Sequence, residues 1–147
     1  MKALTGVVLA FGMATAHPAQ SAPLTVVELF TSQGCSSCPP ANASLAAVAS
    51  RPDVLALSFG VTYWDYLGWK DTFAKPQFTD RQVAYEAGLG HGGPFTPQIV
   101  VNGARDTVGN VQADVEHLIA GARLSGPAIS VTGNSNGCSS PAEILNR

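Results

Sequence analysis

The sequence predicts an α/β domain on a mixed four-stranded sheet, with elements in the order β-α-β-α-β-β-α. Three observations carry this. Two apolar runs, 24–30 and 54–61, flank a short Ala- and Leu-rich stretch, 41–49, as a strand–helix–strand unit requires. A third run, 98–101, meets Asn102-Gly103, a two-residue hairpin turn, and returns through 106–108. After it, Val111, Val115, Leu118, Ile119 and Ala122 recur at helical spacing.

Taken in order, residues 24–30 are apolar almost throughout, which marks an interior strand covered on both faces. The first helix follows Pro39 and Pro40. A residue before proline is pushed out of the helical region, so the helix should start near Pro40 and leave Cys38 outside it. Arg51-Pro52-Asp53 ends that helix. The second strand, 54–61, is again apolar on both faces, and the aromatic segment 63–69 is too irregular for a core element. Residues 76–88 form the second helix, with Pro76 in its first turn and Phe78, Val83, Tyr85 and Leu89 as its apolar side chains. The Gly-rich loop 88–93 does not join a strand to a helix start, so it does not read as a phosphate loop. Asn110 should cap the last helix, which runs to 124. Strands joined through a helix are parallel, and the hairpin sets the fourth strand antiparallel to the third. This is the element order of the thioredoxin fold.

The 147 residues suit one domain. Only 12% are charged, the net charge is −2 and no basic cluster occurs, which argues against a nucleic-acid partner. Residues 1–22 read as a secretory signal: Lys2 supplies the positive end, 4–13 the apolar stretch, and Ala14-Thr15-Ala16 a small-x-small cleavage site. The stretch is too short to span a bilayer, so no stable membrane insertion is expected. A periplasmic or secreted location follows, and it places the cysteines in an oxidising compartment. Residues 23–125 make the domain, and 126–147 an irregular tail that carries Cys138.

Chemistry concentrates between the first strand and first helix, where Cys35 and Cys38 form a Cys-x-x-Cys. Two intervening residues in a turn bring the Cα atoms to the roughly 4.4–6.8 Å that a disulfide requires. A helix mouth also aims free N–H groups at sulfur and favours the thiolate. Topology carries two further stretches to this edge: the aromatic segment, with Trp64 and Asp65 nearest, and Thr96-Pro97 at the start of the third strand. Thioredoxin-like proteins place a cis-proline there, where the backbone of the preceding residue pairs with an extended thiol substrate. Glu28, an acid inside an apolar strand, is either a proton acceptor for Cys38 or half of an ion pair with a Lys or Arg. His91 could join the two cysteines in a copper site, and zinc would need Cys138 or His117 as well.

Three functions are therefore in play. The first is a thiol–disulfide oxidoreductase acting on protein or small-molecule thiols and disulfides, with Cys35 attacking, Cys38 resolving and no bound cofactor. The second is a binding module whose 35–38 disulfide only staples the loop. The third is a copper-binding protein.

The segments VVELFTSQGCSSCPPA, YWDYLGWKDTFA, FTDRQVAYEAGL and FTPQIVVNG, in this order, closely resemble the DUF1223 family, whose members are bacterial, exported and thioredoxin-like. The resemblance runs from Leu24 to Leu124. It implies a thioredoxin-like fold with Cys35, Cys38 and a cis Pro97 at the site, and it supplies no substrate. The chain departs from the family pattern after its last helix, where members continue into a further β-rich region, so Cys138 inherits no family role.

Overall fold

The first strand is covered on both sides because its apolar side chains point both ways. In the computed structural model, which describes residues 24–125, β1 spans Thr25–Thr31. Val27 and Leu29 face one side and pack with Leu45, Val48, Ile99, Val101, Val115 and Ile119. Phe30 faces the other, with Val100, Phe59, Tyr85 and Leu89 around it. Each fully buried aliphatic side chain here contributes on the order of 1.5–3 kcal/mol over leaving it in water.

The other elements are α1 (Pro39–Ala49), β2 (Val54–Gly60), α2 (Pro76–Leu89), β3 (Gln98–Val101), β4 (Arg105–Thr107) and α3 (Gln112–Ser125), with one 3-10 turn at Asp65–Leu67. Their order is the predicted one, and the sheet runs β2-β1-β3-β4. Strand β2 is parallel to β1, β3 is antiparallel to β1, and β4 is antiparallel to β3. Asn102 and Gly103 close the hairpin with φ of 49° and 67°, the positive pair of a type I′ turn. Asn102 also extends the sheet, because its Oδ1 accepts the Val26 N–H at 2.8 Å while its own N–H donates to the Val26 carbonyl at 2.9 Å.

Four expectations change in the structure. Strand β2 is not interior: it forms the sheet edge, and Leu55 and Ser58 are exposed. Helix α1 begins at Pro39, and Cys38, its N-cap, holds helical dihedrals (φ −77°, ψ −30°) despite the proline that follows. Helix α2 buries Gln82 and Glu86 while Val83 stays half-exposed, since the sheet face beneath it carries the polar Glu28 and Gln98. Helix α3 starts at Gln112 rather than directly after Asn110. The signal segment 1–22, the tail and Cys138 lie outside the described residues. No helix among the described residues is long and apolar enough to cross a membrane.

Candidate functional site: the Cys35–Cys38 turn

The turn is built by main-chain hydrogen bonds at the C-terminal end of β1. Ser32 accepts twice, its Oγ from the Gly34 N–H (3.1 Å) and its carbonyl from the Cys35 N–H (3.2 Å). The Cys38 N–H donates to the Cys35 carbonyl at 3.2 Å, and the Asn42 N–H to the Cys38 carbonyl at 3.0 Å. Cys35 and Cys38 are joined as a disulfide with Cα atoms 5.4 Å apart. Both are nearly covered, 4% and 1% exposed, so Cys35 is only marginally the more accessible. The surface of the turn is Ser36-Ser37 and the two prolines. Those prolines occupy the first two helical positions and carry no N–H, and the Asn42 N–H is engaged. The helix mouth is therefore left with the Ala41 N–H in place of the usual several donors, and the polar contact of the Cys35 sulfur is with Ser37 Oγ at 3.5 Å.

Trp64 ties this turn to the start of β3. Its indole N–H donates to Thr96 Oγ1 at 2.7 Å. On the other side it presses on Gly34, where an added Cβ would lie 3.1 Å from Trp64 Cβ. The Thr96-Pro97 bond is cis, and Pro97 directly precedes Gln98, the partner of Phe30 in the β1–β3 ladder. The residues before Cys35 and before Pro97 are thus spanned by one side chain. Asp65 does not join them: its Oδ1 accepts the Asp71 N–H at 3.2 Å.

Asp71, which the sequence analysis missed, is the anchor of the aromatic loop. It is buried, and its carboxylate accepts the N–H groups of Gln33 and Phe73, both at 2.8 Å. Trp69 adds an indole N–H to Gln33 Oε1 at 2.8 Å. The only sequence signal was an aspartate inside a loop, the residue type that takes backbone N–H bonds in turns. Tyr66, Leu67, Trp69 and Phe73 remain exposed beside the turn. An open groove of about 520 Å3 runs between this loop, α1 and β2, lined by Ser32, Gln33, Leu45, Ala56, Asp71 and Phe73. The cysteines do not line it.

Of the two roles open to Glu28, the structure has the ion pair. Glu28 is 1% exposed, Arg81 lies 2.6 Å from its Oε1, and the Tyr85 hydroxyl donates to its Oε2 at 2.5 Å. Burial, followed by the bond to this carboxylate and its charge, pushes the Tyr85 phenol up to about 12, so the hydroxyl stays a donor into strongly alkaline solution.

His91 is not brought to the cysteines. Its Nε2 bonds Asp106 Oδ2 at 2.7 Å, and its ring packs edge-on against Phe95. Among the described residues, no three His, Cys, Asp or Glu side chains are grouped to hold a metal ion.

Glu86 stands apart. It is 6% exposed, and neither carboxylate oxygen has a hydrogen-bond partner. An unpaired buried carboxylate costs stability, whereas an apolar side chain of similar length does not. Glu86→Met is therefore expected to stabilise the protein at neutral pH by about 1–2 kcal/mol, read from urea midpoints at unchanged slope.

No curated protein matches the chain. A crystal structure of a structural-genomics protein from Agrobacterium tumefaciens is similar at 42% identity with a TM-score of 0.66, over 72% of this chain. The chain spans about half of that neighbour's length, 48%. The family described as a protein of unknown function, DUF1223, matches residues 26–143, most of the sequence and all of the site built above. The chain belongs to the DUF1223 family.

Proposed function

We propose that the protein is an exported thiol–disulfide oxidoreductase with a thioredoxin-like domain, working through Cys35 and Cys38. One observation carries the reading: a Cys-x-x-Cys at a helix mouth, linked through Trp64 to Thr96 at the start of β3. Thr96 supports it further. Among the described residues its N–H and C=O have no hydrogen-bond partner, so a strand-like ligand has main chain to pair with.

In the reducing direction the Cys35 thiolate attacks one sulfur of a substrate disulfide, forming a mixed disulfide and releasing the other sulfur as a thiolate. The Cys38 thiolate then attacks the Cys35 sulfur, and the second substrate thiolate leaves. Two electrons pass to the substrate, both released thiolates take up protons, and the enzyme ends as the 35–38 disulfide. The reverse sequence oxidises a dithiol. The signal-like segment 1–22 supports export to a compartment where such exchange occurs.

The burial of both cysteines favours a second reading, a structural staple. Alkylation of the reduced protein in a Cys138→Ser background separates the two. An oxidoreductase labels Cys35 at least about tenfold faster than Cys38, with an apparent pKa below the ordinary ~8.5. Slow labelling of both thiols at an ordinary or raised pKa would leave the staple.

A further inference from the structure

Helix α2 carries a glutamine where its neighbours in the core would favour an apolar residue. Gln82 is fully buried, and its amide makes three hydrogen bonds. Nε2 donates to the Phe95 carbonyl at 2.7 Å and to Gln98 Oε1 at 2.8 Å, while Oε1 accepts the Tyr63 hydroxyl at 3.1 Å. Only a side chain with both donor and acceptor ends meets this demand, and among uncharged residues of this length that is glutamine.

The positions of the two acceptors give the arrangement its meaning. Phe95 immediately precedes Thr96, and Gln98 immediately follows Pro97. One amide thus grips the main chain on one side of Thr96-Pro97 and a side chain on the other. Gln98 is fixed in turn, its Nε2 donating to Asp106 Oδ2 at 2.9 Å, the oxygen that also bonds His91. The segment Phe95–Gln98 is therefore held from α2, from the aromatic loop and from β4. Inside this clamp lie the N–H and C=O of Thr96, which have no hydrogen-bond partner among the described residues.

We propose that Gln82 is a positioning residue for a polypeptide substrate. It holds Phe95–Gln98 so that the free N–H and C=O of Thr96 pair with an extended chain carrying the reacting sulfur. The inference rests on the oxidoreductase reading and adds the substrate class, disulfides within polypeptides. Backbone pairing is available to such a chain and not to a small aromatic disulfide, so the two substrates respond differently when the clamp is loosened.

The test compares insulin with 5,5′-dithiobis(2-nitrobenzoate), using the full chain and its Gln82→Met variant, both in the Cys138→Ser background and both reduced beforehand. Dithiothreitol re-reduces the 35–38 disulfide during turnover of insulin, and the small disulfide is followed as a single turnover after the dithiothreitol is removed. Gln82→Met should lower kcat/KM for insulin about tenfold, mainly through KM, the equivalent of one or two lost hydrogen bonds. Turnover of the small disulfide should change by less than about twofold, because it makes no main-chain pairing. Tyr63→Phe removes one bond to the clamp without emptying the core. It should show the same selectivity at about threefold, and it decides the matter where Gln82→Met does not fold. Equal losses on both substrates, or no loss on insulin, would overturn the role of Gln82. A wild type that turns over the small disulfide but not insulin overturns the polypeptide substrate and leaves the oxidoreductase standing. A wild type inactive on both removes the oxidoreductase reading and the role of Gln82 with it.

Discussion

Cys38→Ser is expected to turn a transient intermediate into a stable one. In the Cys138→Ser background, the variant's Cys35 attacks a substrate disulfide and no second thiol completes the exchange. The adduct therefore persists on a non-reducing gel and disappears with dithiothreitol. Cys35→Ser should form no adduct, and both variants should lose turnover down to the uncatalysed level. Stability is the necessary companion measurement. Opening a cross-link around so short a loop costs about 2 kcal/mol in the chain-entropy account, and the cost is the same whichever cysteine is replaced. Equal losses of stability are thus common to both readings of the pair, and only the asymmetry in trapping is specific to exchange. Two destabilised variants without an adduct would make the disulfide a staple. The burial of Cys35 sharpens the test, because trapping also requires that the Ser36-Ser37 surface give way to an incoming sulfur.

The parts of this arrangement visible in the sequence are those whose cause is local. An apolar run, the pair Asn102-Gly103 and a Cys-x-x-Cys each imply their own backbone, and the structure contains all three. The edge position of β2 was hidden because two-faced apolarity is the usual sign of an interior strand. Among the described residues β2 has it with no strand on its outer side, where only Gly60 is bridged, to Ala74. Gln82 and Glu86 were hidden for the opposite reason. Polar residues at helical spacing look like a solvent face, and the partners of Gln82 lie 13, 16 and 19 residues away. Glu28 was visible as an acid in an apolar strand, but Arg81, 53 residues later, was not a partner that spacing could name. Within the aromatic segment, the indole of Trp64 bonds Thr96, whereas Asp65 bonds within the loop and Asp71 holds Gln33, and no spacing in the sequence distinguishes the two aspartates.

Arg81→Met is expected to destabilise the protein by about 2–3 kcal/mol, toward the lower end for a broken buried pair because the guanidinium is half-exposed. For a domain of about 100 residues this lowers Tm by roughly 10–20 °C. The two partners are not equivalent. Glu28 is enclosed between the sheet and α2, and without Arg81 it keeps only the Tyr85 hydroxyl. Arg81 reaches solvent and rests beside the rings of Phe59 and Tyr85, so without Glu28 it still finds water and a surface. Glu28→Leu should therefore cost less than Arg81→Met, and adding Glu28→Leu to Arg81→Met should restore part of the lost stability, since an apolar pair leaves no buried charge behind. Circular-dichroism melts of the three variants measure this order. If Arg81→Met melts no lower than Glu28→Leu, the carboxylate is not the group that needs its partner. The same variants bear on the chemistry. Arg81 and Tyr85 hold the two oxygens of Glu28, and among the described residues neither oxygen bonds Cys38. Per folded molecule, Glu28→Leu should then exchange disulfides at the wild-type rate and with the wild-type pH profile, whereas a base for Cys38 would slow the resolving step and shift that profile.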